Sequence, residues 1–321
     1  MRISASAIAL MMATGVAAAQ PTIDGSISGD NYGNARSVQT VQTGFGDNQS
    51  ELNAAYARVE GGKLYLTLTG NIEANFNKLE LFFDSAAGGE NTFSGTPGND
   101  NSGNMTGLTF DAGFEADYHM IFRRGFSQFD VDYSILGTGS FSSYSDVFGG
   151  SLEGSGTTGT GANSQPIAIG YDNSNVGGVM GGDQAADQNA ALAVETGLEI
   201  SIDLADLGAP AGEFKVLAFI NNGDHNYASN QFLGGLQPPQ GNLGGDGFGG
   251  FTGGMNFNLN DFAGEQYFIV PAPGAMALLG LGGLVGLRRR RYAIRDSVIR
   301  SDRSEGRLRR GRPSLFFAVC F

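Results

Sequence analysis

Two stretches decide the fold: KLYLTLTG at 63–70 and GLEISIDL at 197–204. In the first, Leu64, Leu66 and Leu68 share one face, and Lys63, Tyr65 and Thr67 the other. In the second, Leu198, Ile200, Ile202 and Leu204 alternate with Glu199, Ser201 and Asp203. A period of two is the mark of a strand with one face on a core. Similar runs predict strands at Val38–Thr43, Ala54–Glu60, Lys78–Asp84, Glu115–Arg123, Gln128–Leu136, Ile167–Tyr171, Ala190–Glu195, Phe214–Asn221 and Gln266–Val270. Between them lie turn-forming segments such as GGENTFSGTPGNDNSGN (88–104) and GSGTTGTGANSQP (154–166).

Glycine supplies 52 of the 321 residues. Gly, Asn, Asp and Thr all cost helix stability, so long helices are not expected in such a background. Short strands without interleaved helices predict an all-β chain, an antiparallel β-sandwich or a barrel. One helical turn is expected at Asp203–Leu207. Residues 85–107 and 222–263 show little regular pattern, and loops of that length are functional or mobile more often than not.

Charge divides the chain. Residues 21–287 carry seven Lys or Arg against 29 Asp or Glu, a formal charge of −22. Residues 288–321 carry 11 Arg against three acids, a formal charge of +8. An acidic body of this kind repels nucleic-acid phosphates and attracts cations, so nucleic acid is not an expected partner. The single cysteine, Cys320, lies in the basic tail, so the body must be held by packing alone.

The N-terminus, MRISASAIALMMATGVAAAQ, has a basic start, an apolar run and the small residues Ala17–Ala19. This is the order of a secretory signal peptide, residues 1–19, with cleavage expected after Ala19. At the other end, residues 268–287, FIVPAPGAMALLGLGGLVGL, carry no charge. Pro271 and Pro273 delay a helix until after them, leaving roughly 14 residues or about 21 Å, short for a stable span. The arginines at 288–291 would stay on the cytoplasmic side, with residues 274–287 in the membrane.

Val270, Pro271, Ala272 and Pro273, the Leu/Gly run, and Arg288, Arg289, Arg290 and Arg291 together resemble the PEP-CTERM sorting signal of Gram-negative bacteria. Ala272 stands where that family has Glu. The resemblance implies a sorting signal at 270–291 and processing by an exosortase-like membrane enzyme. It also implies export to the cell surface or extracellular matrix. The 30 residues that follow (292–321) are either a basic cytoplasmic tail or the product of an altered reading frame.

Within the body at 20–269, PTIDGSISGDNYGNA (21–35) resembles the opening of family 9-like carbohydrate-binding modules. GFEADYHMIFRRG (113–125) is similar to their middle strand, and ETGLEISIDLADLGAPAGEFKVLAFINN (195–222) to their late strand pair. The resemblance implies a jelly-roll-like sandwich but no particular ligand. The chain has no Trp, so a sugar platform would fall to residues such as Tyr118, Tyr133, Tyr144 and Tyr227, whose plainer role is packing.

No catalytic motif has its required context. GSGTTG (154–159) and GDGFGG (245–250) fit G-x-G-x-x-G, but neither sits between a strand and a helix. His119, in a strand, and His225, in a loop, are the two imidazoles. Ser229 and Asp224 lie near His225 in sequence, and sequence proximity rarely gives triad geometry. No cofactor is expected. A structural Ca²⁺ is the one metal hypothesis, motivated by Asp84, Glu90 and Asp100 in one loop region and Asp24 and Asp30 in another. The same residues serve equally as turn formers. The leading expectation is a non-enzymatic surface or matrix protein with extracellular polysaccharide or envelope components as partners. The alternative is a carbohydrate-binding module with a defined sugar site, and a secreted hydrolase comes third.

Overall fold

The computed structural model describes residues 19–272. Two antiparallel sheets pack face to face in an all-β sandwich. The first sheet runs in the order β1 (Ser37–Val38), β2 (Glu51–Glu60), β3 (Lys63–Asn71), β10 (Gly197–Asp203), β9 (Ala168–Tyr171), β8 (Gly154–Thr157). The second runs β12 (Ala228–Leu233), β11 (Phe214–Asn221), β4 (Asn75–Asp84), β5 (Tyr118–Gly125), β6 (Gln128–Ile135), β7 (Ser140–Tyr144). The last strand, β13 (Tyr267–Val270), pairs with the first half of β11 while β12 takes the second half.

The two stretches with the clearest alternation are direct partners. Leu64, Leu66 and Leu68 of β3 stand opposite Ile202, Ile200 and Leu198 of β10. Their side chains meet Leu79, Leu81 and Phe83 of β4, Met120 and Phe122 of β5, and Val216 and Ile220 of β11 in the central core. Each strand sends alternate residues inward because successive Cβ atoms point to opposite faces.

The outward faces are covered too. On the second sheet, Phe82, Leu217, Phe219 and Phe232 join Phe93, Met105, Leu108, Phe110, Leu243, Met255 and Leu259 in a second apolar core. Those partners come from 93–116 and 236–259, most of them in the two segments without regular pattern. Over the first sheet, Tyr32 packs on Ala54, Tyr56 and Tyr65, with Ile23 and Ile27 against them. Consequently Thr67, Thr69, Glu199 and Ser201, on the polar side of the two amphipathic strands, are buried as well.

Several expectations change. Ala190–Glu195 is not a strand: an α-helical turn, α1 (Gln188–Leu192), starts at Asp187, whose carboxylate accepts from the Asn189 and Ala190 amides. A good N-cap and an alanine pair outweigh a weak alternation. β7, β8 and β12 were not predicted. β7 and β8 are polar, and β12, ASNQFL, is buried on both sides and so lacks a period. The turn expected at Asp203–Leu207 is a 3-10 turn at Leu204–Leu207. β13 ends at Val270 because Pro271 has no N–H to continue the ladder. Among the described residues, no helix is long and apolar enough to cross a membrane.

Candidate functional site

The densest chemistry lies on the outer face of the second sheet. Cross-strand register builds it in rows. Asn221, Lys78, Arg123 and Asp130 form one row, and Phe219, Glu80, Ile121 and Asp132 the next. Glu80 is wholly buried, and only partners make that tolerable. Its Oε2 accepts from His119 Nε2 at 2.8 Å, and its Oε1 from His225 Nδ1 at 2.6 Å and Asn221 Nδ2 at 3.3 Å. His225 folds back from the β11–β12 turn and donates its other nitrogen, Nε2, to Asp100 Oδ2 at 3.1 Å. Asp100 also meets Lys78 Nζ at 2.8 Å and Arg123 Nε at 3.3 Å. Arg123 continues to Asp130 and Asp132.

Both ring nitrogens of His225 face carboxylates, which only accept, so the imidazole is a cation with two donors. Burial alone would lower its pKa, but the Glu80 charge and the hydrogen bonds to Asp100 and Glu80 raise it to about 9. Burial alone would raise the Glu80 carboxyl; the charge of His225 and both imidazole hydrogen bonds instead hold it far below the usual carboxylate range. Asp100 is likewise resisted by burial and held low by His225, Lys78 and Arg123.

The backbone is strained where the network closes. Asp100, Asn101 and His225 are all left-handed, with φ of 52°, 64° and 56°. Such conformations cost energy and persist where the surroundings over-determine them. Here the ion pairs do so. His119 stacks flat on Phe82 with centroids 4.0 Å apart, while its Nδ1 is buried without a partner. The arrangement pins the 99–105 segment and the 222–226 turn onto the sheet. It presents a mutually satisfied charge network rather than an activated nucleophile: Asp224 is exposed, and the Ser229 hydroxyl accepts from the Gln231 amide at 3.0 Å. His225 is a buried turn residue clamped between two carboxylates, with no hydrogen bond to the Ser229 or Asp224 side chain.

A second buried carboxylate holds the N-terminal segment. Glu199 Oε2 accepts from the Asp24 and Gly25 amides at 3.0 and 3.1 Å, and Oε1 from the Tyr32 hydroxyl at 2.5 Å. Burial raises its carboxyl to about 7, more than those hydrogen bonds lower it. Gly25 has φ of 89°, and a Cβ there would lie 2.5 Å from the Asp172 nitrogen, so the Ile-Asp-Gly turn requires its glycine.

Asp24 and Asp30 share the N-terminal loop, while Asp84, Glu90 and Asp100 each have partners of their own. Asp24 accepts from the Ser26 amide and Asp30 from the Thr22 amide. Asp84 pairs with Lys215 at 2.8 Å, Glu90 caps Ser94, and Asp100 belongs to the network. Among the described residues, no group of three or more His, Cys, Asp or Glu is placed to hold a metal ion. Tyr133 is buried and donates to the Asp206 carbonyl at 2.5 Å, Tyr118 stacks on it, and Tyr144 bonds Asn163. Tyr227 alone of the four belongs to a surface stack of rings. Val270 is a buried member of β13, followed by the partly exposed Pro271 and Ala272. Pro273 and Arg288–Arg291, like the segments 1–18 and 274–321, lie outside the described residues.

No known protein family, characterised protein or solved structure matches this chain.

Proposed function

We propose that this chain is an exported, non-enzymatic surface or matrix protein, sorted through a PEP-CTERM-type signal at 270–291 and associating with extracellular polysaccharide or envelope components. The observation that carries the reading is the partition of charge. A body of formal charge −22 is followed by a charge-free run and then four consecutive arginines. That order suits a chain held briefly at a membrane with its acidic part outside. The cysteine-free sandwich, packed on both outer faces, is suited to work without disulfides beyond the cell. A jelly-roll-like winding fits the way β3 and β10 adjoin in one sheet while β4 and β11 adjoin in the other. The buried ion network supports a structural rather than catalytic role for the histidines, since its charges answer one another.

Mass spectrometry of the protein isolated from its native cells tests the reading. The expected product begins at Gln20 and ends before the arginine cluster. Recovery of the intact chain from the cytosol overturns it.

A further inference from the structure

One pole of the sandwich gathers the loop before β2, the β11–β12 turn and the glycine loop GGDGFGGFTGG at 244–254. There Phe45, Tyr227 and Phe251 form a row of nearly parallel rings. The Phe45 and Tyr227 centroids are 6.1 Å apart at 19°, and those of Tyr227 and Phe251 4.2 Å apart at 25°. Phe251 ends the row and is 75 % exposed, and Phe248, on the same loop, is 91 % exposed. The loop is built to hold them outward. Asp246 Oδ1 accepts from the Phe248 and Gly250 amides at 2.8 and 2.9 Å, and the Gly249 amide donates to the Leu243 carbonyl. Gly244 is bridged to both Ala228 and Gly250. Leaving large rings in water forgoes the gain of burying them, and a rigid loop that does so marks a contact surface.

We infer that this ring row is a stacking platform for a neutral saccharide, the free face of Phe251 taking the C–H face of a pyranose ring. The inference rests on the proposed association with extracellular polysaccharide and gives it a place and a chemical class. Aromatic faces carry negative potential and favour such polarised C–H groups. Exposed Asp47 and Gln49, on the loop of Phe45, offer acceptors and a donor for sugar hydroxyls at the rim. Neither 44–50 nor 222–254 contains a Lys or Arg, so anionic polymers and anionic lipid headgroups find no counter-charge. The pole lies at the opposite end of β11 from the last described strand. Tyr227 follows the Asn221 end of β11, whereas Val270 pairs with Phe214 at the other end, roughly 23 Å away along the strand.

Affinity electrophoresis of the full chain tests this in gels containing hydroxyethyl cellulose, galactomannan or dextran, with alginate as the anionic comparison. Sedimentation with phosphatidylcholine vesicles runs in parallel. Expected is retardation by at least one neutral polymer, weakened tenfold or more in Phe251→Ala and Tyr227→Ala and unchanged in Phe126→Ala, at a separate exposed ring. Phe251 is a surface residue, and an unchanged denaturation midpoint shows that its variant is folded. No retardation by a neutral polymer, retardation by alginate alone, or retardation that survives Phe251→Ala overturns the inference. So does vesicle binding that Phe251→Ala abolishes, which would make the occupant a membrane. The sorting reading is judged on the termini of the native product, so either can fail while the other stands.

Discussion

Raising the pH above neutrality should unfasten the His225 clamp, and the cost can be worked from the structure. Burial works against the His225 cation, but the Glu80 charge and the hydrogen bonds to Asp100 and Glu80 raise its pKa from 6.5 in the unfolded chain to about 9 in the fold. At 1.36 kcal/mol per unit, this is about 3 kcal/mol of stability. Because the folded value is the higher, the contribution is complete below pH 6.5 and disappears as pH climbs through 9. Glu80 shares the same interaction and adds no separate term in this range. Between pH 7.5 and 8.5 the native state keeps most of one proton more than the unfolded chain, so the unfolding free energy should fall by about 1 kcal/mol per pH unit. Urea denaturation at half-unit intervals from pH 6 to 9.5 reads this directly, with His225→Gln as the comparison. A flat wild-type profile from pH 7.5 to 9, or an equal slope in His225→Gln, refutes the reasoning.

Glu80→Gln leaves the His225 and Lys78–Asp100 charges buried beside a neutral amide. It should cost about 3–5 kcal/mol in urea denaturation, as removal of one member of a buried pair does. Glu199 titrates with the same sign as His225, over a lower pH range. Its folded value near 7 exceeds the ordinary 4.5, so its contribution is greatest below pH 4.5 and is lost as pH rises through 7. Glu199→Gln imitates the protonated acid and should flatten the stability profile between pH 5 and 7; an unchanged slope would count against the assignment. Gly25→Ala places a Cβ 2.5 Å from the Asp172 nitrogen at a left-handed φ, and should lower stability by about 2 kcal/mol or more, seen as a fall in Tm.

The sandwich was legible wherever a strand has one face on the core and the other side polar. The stretches 63–70 and 197–204 are legible because Leu and Ile alternate with polar residues, and the strands that form there are paired in register. The same alternation concealed what covers the polar side, since Thr67 and Glu199 look identical in sequence whether they meet water or Tyr32. β4 held the better clue. In NFNKLELFFD the apolar residues fall on both faces, which demands a layer on each. A lone glutamate inside such a run must be buried and paired, and only two imidazoles exist in the chain to pair with it. That reasoning could have joined Glu80 to His119 and His225. It could not have supplied Asp100, whose place depends on a left-handed turn 20 residues away in sequence. The metal candidates are engaged otherwise among the described residues: Asp24 and Glu90 bond near neighbours in their own loops, and Asp84 and Asp100 pair with Lys215 and with Lys78 and Arg123.

The ion network and the aromatic pole are mechanically one structure. Asp100 and His225 anchor the 99–105 segment and the β11–β12 turn to the sheet, and the two are tied again where Asn104 Nδ2 donates to the Asp224 carbonyl at 2.8 Å. The Asn104 carbonyl then accepts from the Met255 amide at 2.7 Å, just past the loop that carries Phe248 and Phe251. Two residues beyond His225 stands Tyr227, the middle ring of the row. A chain so rich in glycine loses much conformational entropy on ordering its loops, and surface hydrogen bonds alone would hold them weakly. Fixing them instead to buried charges and to the Phe82–Phe219 core gives the loops the rigidity of the sheet beneath. A platform of stacked rings needs that rigidity, because each ring is useful only while its neighbour keeps it upright.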